Sequence, residues 1–130
     1  MSISRVIHIG VVANAAAGGT VIATGTVQSP YTGFITTIEI VLPESPIGKL
    51  QYAIVRNSEH IYPENGYAQR SLGGMDYTEM YTQIIEGDNI SLIVLNNDEL
   101  TPYEIIAKIT IQKDVIWETI ISNAVFSEKQ

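Results

Sequence analysis

Phe34-Ile35-Thr36-Thr37-Ile38-Glu39-Ile40-Val41-Leu42 is the stretch on which the fold turns. It is rich in β-branched residues, which suit a pleated, half-buried surface, and its side chains change character with a period of two. Strict alternation puts Phe34, Ile38, Ile40 and Leu42 on one face and Ile35, Thr37, Glu39 and Val41 on the other. The first face is predicted to be inward.

The same pattern recurs on both sides of this run. Ile3 to Val12 places Ile3, Ile7, Ile9 and Val11 on one face, and Thr20 to Val27 follows a small-residue link ending in Gly18-Gly19. Gln28-Ser29-Pro30-Tyr31-Thr32-Gly33 has turn composition, with Pro presetting φ and Gly supplying positive φ. Downstream, Pro43 to Gly48 ends the run, and Leu50, Tyr52 and Ile54 form the inward face of a strand reaching Arg56. Asn57-Ser58-Glu59-His60 is predicted to be a hairpin turn into a short Ile61-Tyr62 segment. Residues 63–77, with Pro63, Gly66, Gly73 and Gly74, have little periodicity and are predicted to form the longest loop. Thr78 to Ile85, Ile90 to Val94 and Tyr103 to Ile111 alternate again, separated by Glu86-Gly87-Asp88-Asn89 and Asn96-Asn97-Asp98-Glu99.

These runs make seven clear strands and a candidate eighth. No helical pattern is long enough for parallel crossovers, so the predicted fold class is all-β, an antiparallel β-sandwich of jelly-roll-like type. The C-terminal segment admits two readings. Asp114 would cap a helix with Ile116, Trp117, Ile120, Ile121 and Ala124 on one face. Val115, Trp117, Thr119 and Ile121 alternate as a strand, which the β-branched content favours.

A chain of 130 residues with 45% apolar content is sized for a single domain over 1–130. Its body is predicted at about 20–112, with terminal arms at 1–19 and 113–130. Fourteen acidic residues against seven basic give a net charge of −7, and no Lys/Arg cluster occurs, so nucleic acid is not an expected partner. Cysteine is absent, which excludes disulfides and thiolate metal sites. No apolar run has the length of a spanning helix, so membrane insertion is not expected. Arg5 followed by Val6 to Val12 and small residues loosely mimics a signal peptide, but the short apolar stretch holds His8 and Gly10 and reads as a first strand.

Residues with catalytic potential are scattered. The two histidines, His8 and His60, lie near no motif, and nucleophile-elbow, zinc-protease, phosphate-loop and dinucleotide patterns are absent. Glu39, Glu44, Glu59, Glu64, Asp76 and Glu79 could supply a carboxylate pair for glycoside chemistry, but as a set they are expected to solvate outer faces and loops. The two acidic turns offer oxygen ligands for calcium without the spacing of an EF-hand loop. The sequence therefore predicts no enzyme, no cofactor and no metal.

Two sets of residues suggest binding instead. Tyr62, Tyr67, Tyr77 and Tyr81 cluster in or beside the long loop, where rings could stack on sugars. Val115, Ile116, Trp117, Ile120 and Ile121 give the tail an apolar surface that must be covered, which suits an arm added to a neighbour's sheet edge.

The units Gly33 to Glu44 and Ile85 to Asn97 resemble strand-turn-strand units of small jelly-roll subunits from virus particles and other self-assembling coats, over roughly residues 20–112. The resemblance implies a structural, self-assembling role as a capsid, decoration or spike-base protein, in a virion or extracellular assembly. It implies a homo-oligomer whose partners are itself and, as further candidates, other coat proteins. A carbohydrate-binding module using the four tyrosines is the alternative.

Overall fold

The computed structural model describes residues 4–114, with side chains described from Val6 to Lys113. Every regular element in this range is a strand: β1 Ser4–Ala15, β2 Val21–Gln28, β3 Gly33–Glu44, β4 Leu50–Arg56, β5 Glu59–Tyr62, β6 Ala68–Gln69, β7 Leu72–Ile84, β8 Asn89–Asn96 and β9 Tyr103–Asp114. Sheet A has the order β1-β9-β3-β7, and sheet B the order β2-β8-β4-β5 with the two-residue β6 also on β4. All pairings are antiparallel, and the pairs β1–β9, β2–β8, β3–β7 and β4–β5 nest inside one another along the chain. The chain is thus a long double ribbon folded over so that successive pairs alternate between sheets, which is jelly-roll winding.

Alternation builds the core. Ile38, Ile40 and Leu42 of β3 and Ile105, Ala107, Ile109 and Ile111 of β9 point from sheet A towards Leu50, Tyr52 and Ile54 of β4 and Ile90, Leu92 and Val94 of β8. At the β1/β2 side the two sheets come close: Ala13 and Ala15 are the inward residues of β1, and a Cβ on Gly25 of β2 would lie 2.1 Å from the Val12 carbonyl oxygen. Small residues let the backbones meet there. At the opposite side, between β7 and β4–β5, side chains bridge the sheets.

Three sequence expectations are corrected. A β-bulge between Ile35 and Thr37 resets the phase of β3, so Ile35 is fully buried and Phe34 turns to the outer face. The segment 63–77 is not one loop: β6 lies within it and β7 begins at Leu72, running through Gly73 (φ 73°) and Gly74 (φ 94°). Those glycines permit a sharply bent strand start that composition alone presents as a turn. His60 belongs to β5, because the turn is only Asn57-Ser58, with Arg56 paired to Glu59 and Asn57 at φ 57°. Within the segment expected as an N-terminal arm, Ser4 to Ala15 pair with β9 in continuous register, from Asp114 to Tyr103.

The acidic turns hold themselves with their own carboxylates. Asp88 accepts from the Ile85 amide at 2.9 Å and the Asn57 side chain at 3.1 Å. Asp98 accepts from the Leu100 and Thr101 amides and, at 2.7 Å, from the Tyr103 hydroxyl. These hydrogen bonds, from the backbone amides first, hold both carboxyls below their ordinary value of 3.8. Conversely, burial, reinforced by bonds to carboxylates, pushes the Tyr52, Tyr62 and Tyr103 phenols above 10.0.

The pH dependence follows. Depressed carboxyl values stabilise the fold above about pH 4, and that contribution is lost as pH falls through the folded-state values. Raised phenol values leave the folded state protonated while the unfolded chain ionises above about pH 10, so stability falls again there. Urea midpoints measured from pH 2 to 12 are expected to form a plateau between these limits. Asp98→Asn should flatten the acid limb, and an unchanged limb would refute this assignment.

Candidate functional site

Among the described residues, Val6, Val12, Val41, Met75, Tyr77, Tyr81 and Ile106 are exposed apolar or aromatic side chains on strands of sheet A. Cross-strand register aligns Val12 with Ile106, Ile106 with Val41, and Val41 with Met75, one residue from each of the four strands. Their side chains point away from the core, and they remain 46%, 41%, 52% and 49% exposed. The next row holds the ion pair between Lys108 and Glu39, at 3.1 Å, beside Tyr77. Farther along, Phe34 and Tyr81 stack with centroids 4.2 Å apart and planes 13° from parallel. Val6 is exposed on the same face. Isolated exposed apolar residues need no explanation, but a row across a whole sheet does.

The four tyrosines are not brought together. Tyr77 and Tyr81, 50% and 67% exposed, lie on the outer face of sheet A. Tyr62 points between the sheets, where its hydroxyl donates to Asp76. Tyr67 lies beyond β5, edge-on to His60 with centroids 6.1 Å apart. The period-two geometry of β7 puts Tyr77 and Tyr81 on the face opposite inward Asp76. The tail residues Val115, Ile116, Trp117, Ile120 and Ile121, and the choice between helix and strand there, lie outside the described residues.

The open side between β7 and β4–β5 holds a polar cluster. Tyr52, 1% exposed, and half-buried Tyr62 each donate to the same Asp76 Oδ2 at 2.6 Å. Asp76 is thus the acceptor joining sheet B to sheet A, a role invisible in sequence because its partners lie 14 and 24 residues away. A nearby cleft of about 420 Å³ is lined by Arg56, Glu59, His60, Ile61, Glu64 and Thr82. Arg56 and Glu59 are paired across it at 2.8 Å.

The dispersed carboxylates have local partners: Glu39 meets Lys108, Glu59 meets Arg56, and Glu79 accepts from Tyr77 at 3.3 Å. His8 bonds Thr110 in sheet A, while His60 belongs to sheet B. Among the described residues, no group of three or more His, Cys, Asp or Glu could hold a metal ion. No helix among them is long and apolar enough to cross a membrane.

No protein-family model matches the chain, and no curated protein matches its sequence. Solved structures do resemble it. FlhE is 8% identical, with a TM-score of 0.50 over 84% of this chain and 97% of that one. A structure of infectious bursal disease virus strain Gx is 15% identical, with a TM-score of 0.43 over 85% of this chain and 32% of that one. A family 35 carbohydrate-binding module from an environmental isolate is 11% identical, with a TM-score of 0.43 over 75% and 72%. At such identities the likeness is one of fold, and the chain is an all-β, jelly-roll-type sandwich.

Proposed function

We propose that this protein is a structural subunit that self-assembles through the outer face of sheet A. The observation that carries this is the row Val12–Ile106–Val41–Met75, exposed across all four strands. Four strands at about 4.8 Å spacing and roughly 35 Å long present about 700 Å², close to the roughly 800 Å² that each partner contributes to a standard interface. The occupant is a second copy of the chain, giving a homo-oligomer, and the capsid, decoration or spike-base role in a virion is the finer reading. The tail residues Val115, Ile116, Trp117, Ile120 and Ile121 are a second contact in the same reading, added as an arm.

Native mass decides the matter. The wild-type chain is expected well above its 14.2 kDa monomer mass at micromolar concentration. The double variant Val41→Lys/Ile106→Lys should weaken association by at least about a hundredfold, some 2.7 kcal/mol, while its circular dichroism stays unchanged. A monomeric wild type would sink the proposal. Deleting residues 115–130 separates the two contacts, because assembly that survives the deletion removes the arm and leaves the face.

Tyr77 and the Phe34–Tyr81 stack support a second reading, glycan binding on this face. Saturable chemical-shift changes at Tyr77 and Tyr81 with an oligosaccharide panel, on a monomeric wild type, would favour it over assembly.

A further inference from the structure

β7 is an edge strand of sheet A, and an unpaired edge is a template on which another chain can add a strand. In a strand the N–H and C=O of one residue point to the same side, and alternate residues point to opposite sides. The odd-numbered residues of β7 present these groups to the free edge, as three bonds show. Arg70 donates through Nε to the Gly73 carbonyl at 2.9 Å and through Nη1 to the Met75 carbonyl at 3.0 Å. Arg56 donates through Nη1 to the Gln83 carbonyl near the other end, while its Nη2 bonds Glu59 at 2.8 Å.

Both arginines come from the opposite layer. Arg56 ends β4, and Arg70 follows β6, so each guanidinium crosses the open side of the sandwich to reach sheet A. The chain has only three arginines. A guanidinium suits this task because its fixed fork of donors can hold two acceptors at once, as Arg70 does on alternate carbonyls. A strand approaching β7 would have to displace Arg70 from Gly73 and Met75 and Arg56 from Gln83. Between them, Tyr77, Glu79 and Tyr81 leave a free window of about five residues, the short end of a typical strand, so the arginines limit how far an added strand can extend.

We propose that Arg56 and Arg70 guard the β7 edge, so that this chain does not polymerise by strand addition there. The device is independent of any contact made through the sheet A face. It works through position, with carbonyls occupied in advance by donors that a competing strand must replace.

The test compares the wild type with Arg56→Ala/Arg70→Ala. The double variant is expected to form elongated species several times the wild-type mass, with at least about a tenfold rise in thioflavin fluorescence, the signature of edge-to-edge β-pairing. Hydrogen exchange should show new protection at the Tyr77, Glu79 and Tyr81 amides in those species. Adding Tyr77→Pro, which removes an edge-facing donor without touching the β3 ladder, should return the mass to that of the wild type. The proposal is overturned if the double variant keeps the wild-type mass. It is equally overturned if larger species form with those amides unprotected, as unfolding would produce, or if Tyr77→Pro leaves them unchanged.

Discussion

Gly25→Ala is expected to destabilise the fold by about 3 kcal/mol, at the top of the range for overpacking a close-packed site. The added Cβ would lie 2.1 Å from the Val12 carbonyl oxygen, 2.8 Å from its carbon and 3.2 Å from Val11 Cγ1. Two of these atoms are backbone, so no side-chain rotation relieves the clash. The only escape is to move β2 away from β1, which opens the side where Val11, Ala13 and Ala15 are buried. For a domain of this size the loss corresponds to a fall in melting temperature of about 10 °C. Gly10→Ala is the control, because a Cβ there meets nothing within 4 Å, and its effect should stay within about 0.5 kcal/mol. Equal effects at the two positions would show that strand propensity, and not close approach, explains Gly25.

Asp76→Ala is expected to cost a similar amount, about 3 kcal/mol, for an electrostatic reason. It removes two charge-assisted hydrogen bonds and leaves the Tyr52 hydroxyl, 1% exposed, with no acceptor. Half-buried Tyr62 can turn to water, so the loss is smaller than twice that of a single bond. A double-mutant cycle isolates the cause: Tyr52→Phe should be costly in the wild type and nearly neutral in the Asp76→Ala background. Asp76→Asn, which keeps an acceptor oxygen, should recover much of the stability. Additive effects of Tyr52→Phe and Asp76→Ala in urea melts would show that the pair does not act as a unit.

Neither role was legible in the sequence, for different reasons. Gly25 carries a visible signal, a glycine inside an alternating strand, which marks close backbone approach. What approaches it is Val12, thirteen positions earlier, and no local pattern names that neighbour. Asp76 sits half-buried on β7, facing the tyrosine hydroxyls of the opposite sheet. Just before it, Gly73 and Gly74 interrupt the side-chain period, so Leu72–Tyr77 reads as loop. The outer-face row has the opposite history. Val12, Val41, Ile106 and Met75 are ordinary apolar residues one by one, and only the registers of three strand pairs align them.

Period-two alternation is a local property of an extended chain, so the all-β class, the positions of most strands and turns, and the inward residues of β4, β8 and β9 are legible in the sequence. The phase of β3 around Phe34, the extension of β1 to Ala15, the start of β7, the separation of the four tyrosines and the meeting of Tyr52, Tyr62 and Asp76 emerge with the folded arrangement of strands. Each depends on which strand lies beside which and in what register. In a nested double ribbon those neighbours, such as Ser4 and Asp114, come from opposite ends of the chain.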